Sequence, residues 1–233
     1  MKLSISARVP LAALAMIAIG TTACSDSTSP PQNAQLRFVH AAVGTDAVDF
    51  RVEDADVRTD VAYGDEVSAY GAVPAGSRKL AARLTDGTTD LASATEALES
   101  GSQYTAVLVK GSSGEEIAVF ADTSTAAAAG KTRLRIINAA PAAEAVDVYV
   151  TDADADLEDA TAALTEVDPA AASKYVEVTS GAQRIRFTTA GTKTVVLDID
   201  SIDLPDGGVR TVLLLEAEEG GTPFQSIIAE DRG

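Results

Sequence analysis

The chain repeats itself, and that repeat limits its fold more than any other feature. Leu36-Arg37-Phe38-Val39-His40-Ala41-Ala42 returns 98 residues later as Leu134-Arg135-Ile136-Ile137-Asn138-Ala139-Ala140. At the same offset, Ala47-Val48-Asp49-Phe50-Arg51-Val52 returns as Ala145-Val146-Asp147-Val148-Tyr149-Val150. Further on the offset is 105: Tyr70 to Ser77 aligns with Tyr175 to Ala182, and Val107-Leu108-Val109 with Val212-Leu213-Leu214. The jump falls between Val150 and Tyr175, so the second copy carries a seven-residue insertion there. Several matches in one order mark a tandem duplication, and whatever forms must form twice.

Each copy reads as β. Val48, Phe50 and Val52 alternate with Asp49 and Arg51, and Val146, Val148 and Val150 alternate with Asp147 and Tyr149. A period of two describes a strand with one buried and one wet face. Tyr104 to Val109 and Val209 to Leu215 are apolar and β-branched enough for central strands. Glycines 76, 87, 101, 111 and 114 punctuate the first copy at turn-like spacing. Several short strands in roughly 90–100 residues is the size class of the immunoglobulin-like sandwich. The expected fold is therefore all-β, with two tandem immunoglobulin-like β-sandwich domains at 34–122 and 132–233 joined by a linker at 123–131. A fragment of residues 33–124 is expected to fold alone, since each copy should own its core. Leu157 to Leu164, inside the insertion, is compatible with a short helical turn before Pro169. With 4% aromatics and no tryptophan, the cores fall to Val, Leu, Ile and Ala.

The shared pattern is Leu-Arg, two hydrophobics, His or Asn, Ala-Ala; then Ala-Val-Asp; then Tyr-x-x-Val-(Pro/Thr)-x-Gly. It resembles the domain of unknown function 4397 family over residues 36–122 and, less cleanly, 134–231. The second copy departs from the first where His40 becomes Asn138 and Pro74 becomes Thr179. The resemblance implies a β-sandwich lipoprotein of the bacterial envelope and no particular activity.

The N-terminus points the same way. Lys2 and Arg8 precede the apolar run Val9 to Gly20, and Thr21-Thr22-Ala23 lead to the only cysteine, Cys24. That order is a signal peptide at 1–23 closing on a lipidation site. The run is too short for a bilayer span, which needs about 20 residues. Transfer of a diacylglyceryl group to the Cys24 thiol, followed by hydrolysis of the Ala23–Cys24 bond, leaves an acylated new N-terminus, and two or three chains anchor firmly. Thr21 stands where a branched apolar residue is usual, and Ser25 after the cysteine resembles lipoproteins sent to the outer membrane. Residues 24–33 read as the lipidated cysteine and a flexible, proline-containing tether. The expected location is the cell envelope, lipid-anchored and facing the periplasm or the surface.

Charge excludes one class of partner. The formal net charge is −17, and removing Lys2 and Arg8 with the signal makes it −19. Such a surface repels phosphate backbones, so no nucleic acid is expected. With one cysteine there is no internal disulfide.

The chemistry-bearing candidates are few. His40 is the only histidine and its counterpart is Asn138, which cannot act as a base. It is expected to hydrogen-bond at a strand end. Arg37 with Asp49, and Arg135 with Asp147, are expected to form one cross-strand pair in each copy and help set register. Asp152, Asp154 and Asp156 alternate like calcium ligands. Leu157 and Ala163, however, stand where an EF-hand needs glycine and glutamate. Tyr63, Tyr70, Tyr149 and Tyr175 could contact a ligand or pack inside. No nucleophile elbow, phosphate loop or dinucleotide fingerprint occurs, so neither catalysis nor a cofactor is expected. The sequence favours a non-enzymatic binding or adhesion module for an unidentified protein or polysaccharide. The alternatives are a structural spacer or assembly component of the envelope and, behind it, a hydrolase using carboxylates in the cleft between the copies.

Overall fold

Val48, Phe50 and Val52 enter one hydrophobic core from β2 (Val48–Val52), and Val146 and Val148 enter a second from β10 (Val146–Thr151). The computed structural model describes residues 32–122 and 125–231, which form one compact unit. The expected signal peptide, Cys24 and the tether as far as Pro31 lie outside the described residues. Asn33, the last residue of that expected tether, opens the first strand.

The chain is all-β. In the first repeat, β1 (Asn33–Ala41), β4 (Gly71–Pro74), β7 (Gln103–Gly111) and β8 (Gly114–Ala121) form a sheet ordered β4-β1-β7-β8. Against it lies a sheet ordered β3-β2-β5-β6, with β3 (Ala55–Val61), β5 (Gly76–Leu84) and β6 (Asp90–Leu98). The second repeat follows the same plan. Its outer sheet runs β11-β10-β14-β15, from β11 (Leu164–Val167), β14 (Gly181–Thr189) and β15 (Val195–Leu204). Its inner sheet is β9 (Lys131–Asn138), β16 (Val209–Leu215) and β17 (Gln225–Glu230), with β12 (Ala171–Ala172) and β13 (Val176–Thr179) both pairing β9. Pairing is antiparallel except for β1 with β7 and β9 with β16. A constant-type immunoglobulin domain puts its first, second, fifth and fourth strands in one sheet. Here the sandwich is of that size but has its own strand order.

Gly76 and Gly181, the glycines that close the repeated Tyr-x-x-Val motif, have φ of +105° and +97°. Each stands where the chain leaves one sheet (β4, β13) and enters the other (β5, β14). A left-handed backbone at that switch is strained for any residue with a Cβ. The insertion lengthens a single connection. β2 and β3 are joined by Glu53 and Asp54 alone, whereas β10 and β11 are joined by residues 152–163. That stretch forms turns and no helical turn at 157–164; among the described residues the one helical turn, of 3₁₀ type, is Pro141–Ala143.

Alternation assigns the faces of the inner strands. Leu36 and Phe38 on β1, with Ala106 and Leu108 on β7, fill the first core; Leu134, Ile136, Val212 and Leu214 fill the second. The intervening residues turn the other way. Val39, Ala41, Val107 and Val109 meet Ile137, Ala139, Leu213, Leu215 and Ala229 in a third core that belongs to both repeats. The two inner sheets are therefore packed on each other, and the molecule has four layers.

Candidate functional site

Within that junction the alternation of β1 and β9 also turns Arg37 and Arg135 inward. Their side chains are 3% exposed. The Arg37 Nε donates to Thr105 Oγ1 at 2.8 Å, Nη1 to the Glu230 carbonyl at 2.8 Å, and Nη2 to the carboxylate of Asp231. Arg135 does the reciprocal: Nε to Thr211 Oγ1 at 3.0 Å, Nη1 to the Ala121 carbonyl at 3.1 Å, Nη2 to Asp122 at 2.5 Å. Asp122 and Asp231, both 0% exposed at the side chain, also accept from Thr105 and Thr211 and from the hydroxyls of Tyr70 and Tyr175 at 2.7 Å. The guanidinium carbons lie 4.5 and 4.8 Å from the centroids of those tyrosine rings. Burial and the neighbouring carboxylates push both phenols well above their usual range. Each repeat thus gives an arginine to the acid that ends the other.

The expected pairs within each copy do not form. The arginines face the junction, and Asp49 and Asp147 hold backbone instead. The Asp49 Oδ1 accepts from the Asp60 N–H at 3.0 Å, and Asp147 Oδ1 from the Glu166 N–H at 2.9 Å. Asp49 also meets Arg83 at 3.2 Å, and Asp147 accepts from the Gly191 N–H. Sequence reasoning missed Asp122 and Asp231. Their signal was positional: an acid one residue beyond the last strand of each copy.

His40 ends β1 with hydrogen bonds on both ring nitrogens. Its Nδ1 accepts from the Ala42 N–H at 3.3 Å, which places the proton on Nε2, facing the Thr45 and Asp46 carbonyls at 3.2 Å. Asn138 does the same work: Nδ2 donates to the Glu144 and Val167 carbonyls, and Oδ1 accepts from the Ala140 N–H. Burial lowers the histidine pKa below 6.5, against the pull of those carbonyls and of Asp65 and Glu115.

The three aspartates do not gather as ligands. Among the described residues no group of three His, Cys, Asp or Glu side chains is placed to hold a metal. Their loop is tied down by cations instead: Arg184 binds the Ala153 carbonyl, Arg186 that of Ala155, and Lys193 those of Leu157 and Ala160. Lys193 also lies 4.2 Å from the centroid of Tyr149, which is buried. Tyr63 donates to the Glu216 carbonyl and meets His40 edge-on at 5.9 Å. Burial raises its phenol to about 12.

Beside the charge cluster the junction opens. A cleft of about 1160 Å³ lies between the segment Glu66–Tyr70 and β17, with Arg37 and Asp231 at its base. Ile227 and Val67 pack into the junction core, while Ile228 is 46% exposed. Among the described residues no helix is long and apolar enough to cross a membrane.

Comparison with known proteins yields a family and distant folds. A Bacteroides uniformis protein named for a suggested role in cell adhesion aligns at 11% identity, over 85% of this chain and 98% of its own, with a TM-score of 0.29. A Bacteroides ovatus protein named for a suggested role as an adhesin aligns at 10% identity, over 87% and 95%, with a TM-score of 0.25. No curated protein sequence matches. Residues 34–149, from the first strand into β10, match the domain of unknown function DUF4397, so the chain carries a domain of that family.

Proposed function

We propose that the protein is a non-enzymatic binding module of the bacterial cell envelope, tethered through lipid on Cys24. The junction cleft carries this reading. It is a concave surface of about 1160 Å³ walled on one side by the strand β17, and clefts of this kind are where binding sites concentrate. Its floor is chemically quiet: Arg37 and Asp231 neutralise each other, and both Asp231 oxygens are committed to Arg, Thr and Tyr donors. The protein from Ser25 onward, freed of its lipid, should gain melting temperature saturably with one member of a panel of envelope polysaccharides and peptides. Ile228→Arg, an exposed change on the cleft wall, should abolish that gain. Stabilisation by no member of the panel would sink the binding reading. For the anchor, Cys24→Ala should move the protein out of the membrane fraction; a processed mutant retained in the membrane would refute it.

One observation favours a second reading, a spacer of the envelope. The shared third core and the reciprocal ion pairs make a stiff junction, unlike a loose linker between independent domains. Loss of the protein would then alter envelope integrity with no saturable ligand.

A further inference from the structure

The edge of β17 says what kind of ligand the cleft takes. The Asp231 N–H donates to the Val209 carbonyl, so residues 227, 229 and 231 bond inward to β16. Ser226, Ile228 and Glu230 must then turn their N–H and C=O groups away from β16, toward the cleft. The Glu230 carbonyl confirms the direction by accepting from Arg37. The backbone groups of Ser226 and Ile228 and the N–H of Glu230 have no partner among the described residues. In the first repeat the corresponding edge strand, β8, lies against β6, whereas β17 makes no such approach to β15. An open edge of this kind is a template for another strand.

The charge around it has one sign to spare. Arg37 is spent on Asp231 and Arg210 lies 3.5 Å from Glu230, while Glu66 on the opposite wall joins no ion pair among the described residues. The whole chain adds a strongly negative field. Resting on the binding reading above, we propose that the cleft seats an extended peptide segment bearing basic side chains, which joins β17 as a further strand of its sheet. Five residues of edge, at about 3.4 Å each, match a segment of about five or six residues. A polysaccharide offers no ladder of alternating donors and acceptors at that spacing, so the unpaired edge selects polypeptide.

The experiment is a calorimetric titration of the lipid-free protein with a capped hexapeptide, Lys-Thr-Val-Lys-Val-Thr, and with the same peptide carrying Glu for Lys. The lysine peptide should bind saturably and more weakly as salt rises; the glutamate peptide should not bind. Ile228→Pro deletes an outward N–H and leaves the β16 ladder intact, as proline on an edge strand can. It should weaken binding at least tenfold with an unchanged melting temperature. Glu66→Lys, a surface change independent of the edge, should weaken it several-fold. Equal binding by both variants, or equal binding of both peptides, overturns the proposal. So does self-association of the protein that Ile228→Pro abolishes, since the edge would then pair with a second copy. If a polysaccharide is bound and blocked by Ile228→Arg while no peptide binds, the peptide assignment fails and the binding reading stands.

Discussion

Arg37 and Arg135 use the guanidinium as a planar fork, spending Nε on a threonine, one terminal nitrogen on a carbonyl and the other on a carboxylate. A lysine cannot reproduce three fixed directions. Removing Arg37 leaves Asp231 buried with its hydroxyl donors and only the more distant Arg135, at 3.9 Å, as countercharge, a change that costs about 3–5 kcal/mol. Urea titration of Arg37→Ala should show a loss of that size, with Arg37→Lys recovering only part. A loss of under about 1 kcal/mol would mean that water reaches the cluster. His40 supplies a pH test. Burial lowers its pKa in the fold, so as pH falls the unfolded chain takes the proton first. Stability is therefore full above 6.5 and declines below it, because a second ring N–H would face the Ala42 N–H that Nδ1 now accepts. Substituting the second repeat's solution, His40→Asn, should keep the fold and flatten stability between about pH 5 and 7, the range of an ordinary histidine. An unchanged slope would assign the dependence elsewhere. The strand-end role of His40 was legible because its counterpart is an asparagine. The partners of the arginines were not, because a register of repeats along the chain says nothing about which repeat a side chain faces.

At the level of elements, β2 and β10 were readable from their period of two, but the work of their aspartates was not. Each accepts the N–H of a residue in a left-handed bulge of the next strand: Asp60 at φ +56° in β3, Glu166 at φ +53° in β11. Both pairings shift register there. A bulge is defined by backbone direction, which no side-chain pattern displays. Asp147→Ala should lower stability by about 1–3 kcal/mol, since it strands the N–H groups of Glu166 and Gly191. Glu166→Gly should raise it by about 0.5–1 kcal/mol, because the left-handed conformation costs an exposed glutamate more than it costs glycine. Thermal unfolding of the two variants should move in opposite directions. If Glu166→Gly destabilises, the glutamate side chain holds the bulge in some other way. The insertion was placed correctly between Val150 and Tyr175, yet its form was misread. Alanine content was compatible with a short helical turn, while Arg184, Arg186 and Lys193 bind the loop's carbonyls and hold it as turns.

For the whole molecule, the clue to the junction lay in the runs Tyr104 to Val109 and Val209 to Leu215, apolar at nearly every position. A sheet wet on one face would alternate; these strands are buried on both faces because two inner sheets cover each other. The contact is reciprocal, with Arg37 on Asp231 and Arg135 on Asp122, which is the arrangement of a two-fold interface between like surfaces. The first repeat alone therefore contains both halves of it: Arg37, and the acceptor Asp122 held by Tyr70 and Thr105. Freed from the second repeat, it would also expose Val39, Ala41, Val107 and Val109, a patch of the sort that drives association. The fragment 33–124 should then fold not as a monomer but as a symmetric dimer, with each Arg37 on the partner copy's Asp122. Sedimentation equilibrium should give twice the fragment mass, and Arg37→Glu, which sets like charges together at the centre, should return it to monomer or unfold it. A folded monomer of the unsubstituted fragment would show that one sandwich is self-sufficient and that the charge cluster only sets how two finished sandwiches dock.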